Sequence, residues 1–330
     1  MKARLIFFGS DEIALPGLER LLAAHAATAE LVAVWSQPDR PSGRGKKVQP
    51  NAVVQWAKEK GVAVFQPERL GEAEQKLLEE ARPDLALVMA YGHILRKDFL
   101  AVPRLGFFNL HASLLPQLRG ATPIEGALVS RLGKTGVSLQ RVVPRLDAGP
   151  IVDAEEIVLS AKETRGSLRE KVAAAGAPLL ERIWPRLLAG EPGVPQDEAR
   201  VSFTRKITRD DAAVDFAASA AEIAARVRAL TPWPGVTFPW QEQLLKMGAA
   251  ELAEEKTDAT PGTILAAGRD GVRIATGDGV LVVTQLQRPG GNMLAAAAFL
   301  AGFPLPEGAV LESRPMAPLV RDGSPFLRKL

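Results

Sequence analysis

Residues 85–90 read LALVMA, an unbroken apolar run that begins directly after Asp84. A strand with one face in water alternates apolar and polar residues, whereas a strand covered on both faces can be apolar throughout. Similar runs occur at residues 4–8, 31–35, 62–65 and 106–110, and segments with helical patterns lie between them. This alternation predicts an α/β domain with a mostly parallel sheet over residues 1–189.

The pattern changes after residue 189. Residues 190–206 contain Pro and Gly without periodicity, so we predict a linker there. Beyond the linker, residues 217–230 have a helical pattern, and short β-like runs follow at 263–265, 272–275 and 279–286, separated by Gly-Asp turn signals. We therefore predict a smaller β-barrel domain, similar to an OB fold, over residues 207–330.

Composition excludes several kinds of chemistry. The chain has no cysteine, which rules out disulfides, a cysteine nucleophile and thiolate metal sites, and it has only three histidines, so we expect no metal. The N-terminal apolar run is too short for a signal peptide, and the longest apolar stretch, near residues 294–303, is about half the length of a membrane span. We expect a cytoplasmic protein that does not contact membranes.

The net charge becomes informative only when charged residues are counted separately for the two parts of the chain. Lys and Arg number 41 against 38 Asp and Glu, but from residue 207 onward the counts are 12 against 14, leaving 29 against 24 before it. Much of this excess lies in the loop at residues 37–50, which holds Arg40, Arg44, Lys46 and Lys47 against Asp39 alone. Such a loop is either a solvated surface segment or a site for nucleic-acid phosphates.

Three polar residues fall where α/β sheets place their ligands. Asn109 and His111 are two residues apart at the end of a predicted strand, so their side chains share one face, and Asp147 follows the next predicted strand. Taken singly, they are a capping Asn, a structural His and a turn Asp. Together they provide an amide that can hold an oxyanion and two groups that can move a proton, which suits acyl transfer to nitrogen.

The wider motif indicates a family. The stretch NLHASLLPQLRG at 109–120, followed by DAGP at 147–150, resembles the folate-dependent formyltransferases. FGSD at 8–11, PDRPSGRGKK at 38–47, AYG at 90–92, TRKI at 204–207 and TPWPG at 231–235 extend the resemblance over nearly the whole chain, toward the members that formylate an aminoacylated initiator tRNA. One departure is Gln117-Leu118, where many relatives carry a basic and an aromatic residue.

The resemblance implies a fold and a reaction. It implies a Rossmann-like first domain and transfer of the formyl group of 10-formyltetrahydrofolate to the α-amine of methionyl initiator tRNA by a monomeric enzyme. The catalytic residues would be Asn109 and His111, which stabilise the oxyanion, and Asp147, which orients His111 and helps to remove the amine proton. Folate contacts are implied for Tyr91, Gly92, Ser113, Leu114, Leu115 and Pro116.

The resemblance also implies roles for the basic loop and the second domain. The loop would enter the tRNA acceptor end, with Arg40, Arg44, Lys46 and Lys47 as the tRNA-binding residues, and the C-terminal barrel would supply a second tRNA surface. We expect Trp233 to anchor packing rather than to stack on a base.

Three other functions remain open from the sequence. The first is formyl transfer to a small amine, such as glycinamide ribonucleotide or an amino-sugar nucleotide, although a small acceptor requires neither the basic loop nor the barrel. The second is hydrolysis of formyl-folate, in which water replaces the amine. The third is an RNA-binding protein without catalysis, which the presence of all three catalytic residue types disfavours.

Overall fold

The computed structural model describes residues 1–42 and 47–325, with only the backbone described at Ser42 and Lys47. In the first half, strands β1 to β10 are Ala3–Gly9, Ala29–Trp35, Arg40–Ser42, Lys47–Gln49, Ala63–Phe65, Leu85–Met89, Phe107–His111, Arg119–Gly120, Lys134–Arg141 and Ile151–Val158. Helices α1 to α6 are Leu15–Ala24, Ala52–Glu59, Glu72–Glu80, Lys97–Leu100, Pro123–Val129 and Arg165–Leu188.

In the second half, strands β11 to β18 are Ser202–Thr204, Val236–Trp240, Gln243–Ala253, Ile264–Gly268, Gly271–Ala275, Val280–Gln287, Leu294–Ala295 and Val320–Asp322. Helices α7 and α8 are Ala220–Leu230 and Ala296–Gly302. Short 3-10 helices occupy Glu12–Ala14, Glu198–Arg200 and Arg209–Ala212. Among the described residues, no helix is both long enough and apolar enough to cross a membrane.

The main sheet has the order β10-β9-β7-β6-β1-β2-β5. The five neighbouring strands β7, β6, β1, β2 and β5 are parallel to one another. Strand β9 is antiparallel to both β7 and β10. Strand β6 is buried at every position, which explains why its sequence is apolar without alternation. The prediction of a mostly parallel, Rossmann-like sheet is therefore confirmed.

Helix α6 covers one face of this sheet and packs on α1. Thr164 begins it by accepting a hydrogen bond from the backbone N–H of Ser167. Its buried residues recur every three or four positions along one side: Leu168, Val172, Gly176, Leu179, Ile183 and Leu187. A Cβ at Gly17 would lie 3.3 Å from the carbonyl oxygen of Gly176, so glycine lets the two helices approach closely.

The second half is built on an antiparallel sheet of order β12-β13-β16-β15-β14, with β17 beside β16. Two register shifts between Met247 and Ala250 bend β13. Helix α7 begins with a capping box of Ser219 and Glu222. The predicted β fold of this half is confirmed, but the expectation for Trp233 is wrong. The residue lies in the turn between α7 and β12 and is 52% exposed, so it does not anchor packing.

The segment predicted to be a linker lies against the first half. Ile151 and Val194 exchange two backbone hydrogen bonds of 2.8 Å. Strand β11 then runs parallel to β8 and antiparallel to β18, which gives a small sheet of order β18-β11-β8. Residues 190–206 therefore lie along the end of β9 and the start of β10, and the exact domain boundaries stay a prediction.

Candidate active site

Strand β7 carries two of the predicted catalytic residues at its carboxyl end. Phe108 and Leu110 point into the main core, and the alternation of the strand puts Asn109 and His111 on the opposite face. Asn109 pairs with Val88 on one side and with Gln140 on the other. Its side chain is partly exposed, and within residues 1–42 and 47–325 no hydrogen bond engages its carboxamide. That amide is available to a ligand.

His111 is 5% exposed and held in one orientation. Its Nε2 lies 2.9 Å from the carbonyl oxygen of Leu118. Because a carbonyl only accepts hydrogen bonds, this nitrogen carries the proton. In the neutral ring Nδ1 is then an acceptor, and it lies 3.8 Å from Oδ2 of Asp147, beyond hydrogen-bond range. The Leu118 carbonyl, rather than Asp147, makes the hydrogen bond that orients His111.

Asp147 lies in the turn between β9 and β10 with φ of +45°. Its Oδ2 accepts the backbone N–H of Gly120 at 2.8 Å, and its Oδ1 accepts Nε2 of Gln140 at 3.1 Å. The turn needs glycine two residues later, because a Cβ at Gly149 would lie 1.7 Å from the carbonyl oxygen of Arg141. The structure therefore brings Asp147 beside His111, as the motif spacing predicts.

Two glutamines near Asp147 were missed from the sequence. Gln140 is 2% exposed on β9 and bonds the carboxylate directly. Gln196, from the predicted linker, donates to the carbonyl oxygens of Asp147 and Gly149 at 2.8 and 2.7 Å. Gln140 had little signal, because β9 reads KTGVSLQR and contains several other polar residues. Gln196 had none, because it lies among Pro, Gly and charged residues.

The turn predicted to contact folate is tightly built. Ser113 is fully buried, and its hydroxyl donates to the carbonyl of Gln117 at 2.7 Å. The Ser138 hydroxyl bridges the turn, donating to the Ser113 carbonyl at 2.8 Å and accepting the Leu115 N–H at 3.0 Å. Leu115 and Pro116 are also buried, whereas Leu114 is partly exposed. The contacts of this turn with folate stay a prediction.

Tyr91 and Gly92 follow β6 at the same edge of the sheet. The Tyr91 ring is 2% exposed and packs edge-on against Phe8, and burial together with the charge of Glu74 raises the pKa of its hydroxyl. The Tyr91 carbonyl accepts a hydrogen bond from Gln37 at 2.9 Å. The Tyr91 ring is therefore part of the core, and the contacts of Tyr91 and Gly92 with folate stay a prediction.

Part of the basic loop lies outside the described residues. Arg44 and Lys46 lie outside the described residues, and so does the side chain of Lys47. Arg40 is described: its guanidinium is exposed and lies 2.6 Å from the Glu68 carboxylate. The structure therefore does not test the predicted tRNA contacts.

The chemistry open to this site is limited. Asn109 can donate to a developing oxyanion, and His111 Nδ1 and Asp147 offer two acceptors to an incoming amine. The Ser113 hydroxyl is buried and donates its proton to the Gln117 carbonyl, so it is not free to act as a nucleophile. Over the part of the chain that the structure describes, no group of three or more His, Asp and Glu side chains is arranged to hold a metal. The arrangement favours acyl transfer directly to a nitrogen.

Comparisons with known proteins identify the family. The profile of the family described as Formyl transferase matches residues 3–183, and that of Formyl transferase, C-terminal domain matches residues 206–304. The Methionyl-tRNA formyltransferase of Halorhodospira halophila is 41% identical over 309 residues, 93% of this chain and 99% of the relative. That of Delftia acidovorans is 42% identical over 321 residues, 94% of this chain and 97% of the relative. The chain belongs to the formyltransferase family, and it is a transferase.

Solved structures support the same fold. The N-formyltransferase from Helicobacter canadensis, in complex with folinic acid and dTDP-3-aminofucose, aligns with a TM-score of 0.63 over 87% of this chain and 100% of its own length, at 17% identity. HypX from Aquifex aeolicus, in complex with tetrahydrofolic acid, aligns with a TM-score of 0.58 over 95% of this chain and 51% of its own, at 16% identity. The resemblance predicted from the sequence is confirmed.

Proposed function

We propose that this chain transfers the formyl group of 10-formyltetrahydrofolate to the α-amine of methionine on initiator tRNA, acting as a monomer. The observation that carries the proposal is the identity of about 41% to a methionyl-tRNA formyltransferase over 93% of this chain, through both halves.

The reaction forms one C–N bond and breaks another. The neutral α-amine attacks the formyl carbon, and the resulting oxyanion accepts a hydrogen bond from the Asn109 carboxamide. The amine proton passes to Asp147 or to Nδ1 of His111, which lie 3.8 Å apart and can both face the amine. The bond to the donor nitrogen then breaks, and that nitrogen takes up a proton. Because Nε2 of His111 donates to the Leu118 carbonyl, Nδ1 is the ring nitrogen left to face the substrate.

We propose that the formyl-folate lies at the carboxyl edge of the parallel strands. The backbone of Tyr91-Gly92 and the 113–116 turn line that edge, and the burial of most of their side chains makes backbone contacts the principal ones. A pterin ring carries amide-like donors and acceptors, which backbone N–H and C=O groups can match.

The basic loop supplies the proposed tRNA phosphate contacts. Arg44, Lys46 and Lys47 are the main candidates, and Arg40 is a weaker one because it pairs with Glu68. Replacing Arg44, Lys46 and Lys47 with Gln should weaken tRNA binding and flatten its dependence on salt by about 0.7–0.9 per lost contact on a logarithmic plot. An unchanged affinity across a salt titration would contradict this role.

One assay tests the function against its alternatives. The enzyme receives 10-formyltetrahydrofolate with a labelled formyl group and one of four acceptors: methionyl initiator tRNA, glycinamide ribonucleotide, an amino-sugar nucleotide or water alone. We expect label on the methionyl-tRNA. Label on a small amine, free labelled formate from water alone, or tRNA binding without transfer would each identify a different alternative and overturn the proposal.

A further inference from the structure

We propose that Gln196 is a positioning residue for this reaction, holding the Asp147 turn against a buried arginine. The inference rests on the proposed function, because it assumes that Asp147 takes part in catalysis. Gln196 lies in the segment predicted to be a linker, 49 residues beyond Asp147 in sequence, yet its side chain touches the backbone of the Asp147 turn. It does not reach the carboxylate itself, so it acts through the turn and, by a longer contact, through Gln140, which bonds that carboxylate.

The network permits only one orientation of the Gln196 amide. Its Oε1 accepts Nε and Nη2 of Arg119 at 3.0 and 2.7 Å. Its Nε2 faces the carbonyl oxygens of Asp147 and Gly149 at 2.8 and 2.7 Å, with Gln140 Oε1 farther away at 3.2 Å. A guanidinium only donates and a carbonyl only accepts, so a reversed amide would lose all four of the shorter contacts.

Arg119 is a rigid anchor for this amide. It is fully buried, and it belongs to β8, which pairs with β11 near the end of the same 190–206 segment. Its Nη1 has no partner among the described residues. The guanidinium is therefore already short of one acceptor, and loss of the Gln196 oxygen would leave two further donors with only the exposed Glu198 carboxylate.

The Asp147 turn needs such a clamp. A non-glycine residue with φ of +45° is in a sparsely populated conformation that surrounding contacts must maintain. The adjoining residues of the turn, Leu146 and Arg145, are exposed. A displacement of the carboxylate by about 1 Å is enough to cost about a hundredfold in rate at a reacting centre.

Gln196→Glu separates the two contacts of this side chain. The new carboxylate keeps the bonds to Arg119, which hold it ionised, but it cannot donate to the carbonyls of Asp147 and Gly149 and instead repels them. We expect kcat to fall at least tenfold, with both KM values within twofold of wild type and the melting temperature unchanged. Glu198→Ala is the matched control, since it removes the Glu198 contacts with Arg119 and with the exposed Arg145 side chain but leaves both Gln196 bonds to the backbone of the turn, and its kcat should stay within twofold.

A double-mutant cycle then tests whether the effect passes through Asp147. In an Asp147→Asn background, Gln196→Glu should change kcat less than twofold, because the group being positioned is already lost. The inference is overturned if Gln196→Glu alone leaves kcat within twofold of wild type, or if its full loss persists in the Asp147→Asn background. A wild-type enzyme that formylates no acceptor would instead overturn the proposed function.

Discussion

Two carboxylates, one in each half of the chain, are held by opposite kinds of partner. Asp147 accepts hydrogen bonds from the Gly120 N–H and the Gln140 amide, which are neutral. Asp211 is 1% exposed and accepts bonds from Arg205 at 2.6 and 2.9 Å and from the Thr208 N–H at 2.7 Å, with Arg226 at 3.5 Å. Both carboxylates are fixed in place, but only Asp211 has its charge neutralised by arginines.

The difference separates a structural carboxylate from one available for chemistry. Burial alone would raise the pKa of Asp211. The hydrogen bonds from Arg205 and Thr208, together with the charge of Arg205, more than offset the effect of burial, so that the pKa of Asp211 is lowered. Asp211 therefore stays ionised and joins β11, α7 and the segment before β18. Within the described ranges, no Lys or Arg forms an ion pair with Asp147, which leaves its charge free for an incoming amine.

The largest expected effect is that of Asp147→Asn. Loss of a positioned proton acceptor typically costs between a hundredfold and ten thousandfold, and we expect kcat to fall about a thousandfold. The amide can still accept one of its two hydrogen bonds, so the melting temperature should stay within about 2 °C, since a change of 1 kcal/mol shifts a domain of this size by only a few degrees. A single-turnover assay with methionyl-tRNA measures it, and a loss below tenfold would contradict the proposed role.

Next is Asn109→Ala, which removes the proposed oxyanion donor. Such a donor is typically worth about a hundredfold or more in kcat, and we expect a loss of that size with KM for both substrates nearly unchanged. Because the carboxamide has no hydrogen bond within the described part of the chain, the substitution should leave the unfolding free energy within about 0.5 kcal/mol. A decrease in turnover under about threefold would show that another group holds the oxyanion.

Much of the N-terminal sheet could be predicted because its signals are local. Continuous apolar runs such as residues 85–90 mark strands covered on both faces, and Asn109 and His111 were identified by their spacing at a strand end. In contrast, β13 was missed because its sequence, QLLKMGAAELA, contains the Ala, Leu, Lys and Glu that favour helices. Its pairing with β12 and β16 overrides that local preference.

The features of the site that could not be predicted from the sequence are long-range contacts. The Leu118 carbonyl orients His111 only because the chain turns back after Pro116, and Gln196 reaches Asp147 only because residues 190–206 lie along the end of β9. No local periodicity encodes either contact. The same limit applies to Asp211. Its partner Arg226 lies on α7, and only the folded chain brings the two residues together.

A third substitution, Asp211→Asn, tests whether Asp211 has the structural role that the comparison with Asp147 assigns to it. It leaves Arg226, which is 6% exposed, beside a neutral side chain. Removal of one partner from a buried ion pair costs several kcal/mol. The remaining hydrogen bonds and the partial exposure of Arg205 should reduce this to about 2 kcal/mol of unfolding free energy. Urea denaturation measures it, while kcat per folded molecule should stay within twofold of wild type.

The smallest expected effect is the pH dependence of that loss. The lowered pKa of folded Asp211 lies below that of an unfolded aspartate, about 3.9, so its contribution is complete above the unfolded value and disappears as pH falls through the folded one. The difference in unfolding free energy between wild type and Asp211→Asn should therefore be constant from pH 7 to 5 and shrink as the pH falls toward 3. Groups common to both proteins cancel in this difference. If the difference in unfolding free energy instead grew as the pH fell, Asp211 would not be held ionised by its partners. The proposed contrast between Asp211 and Asp147 would then be wrong.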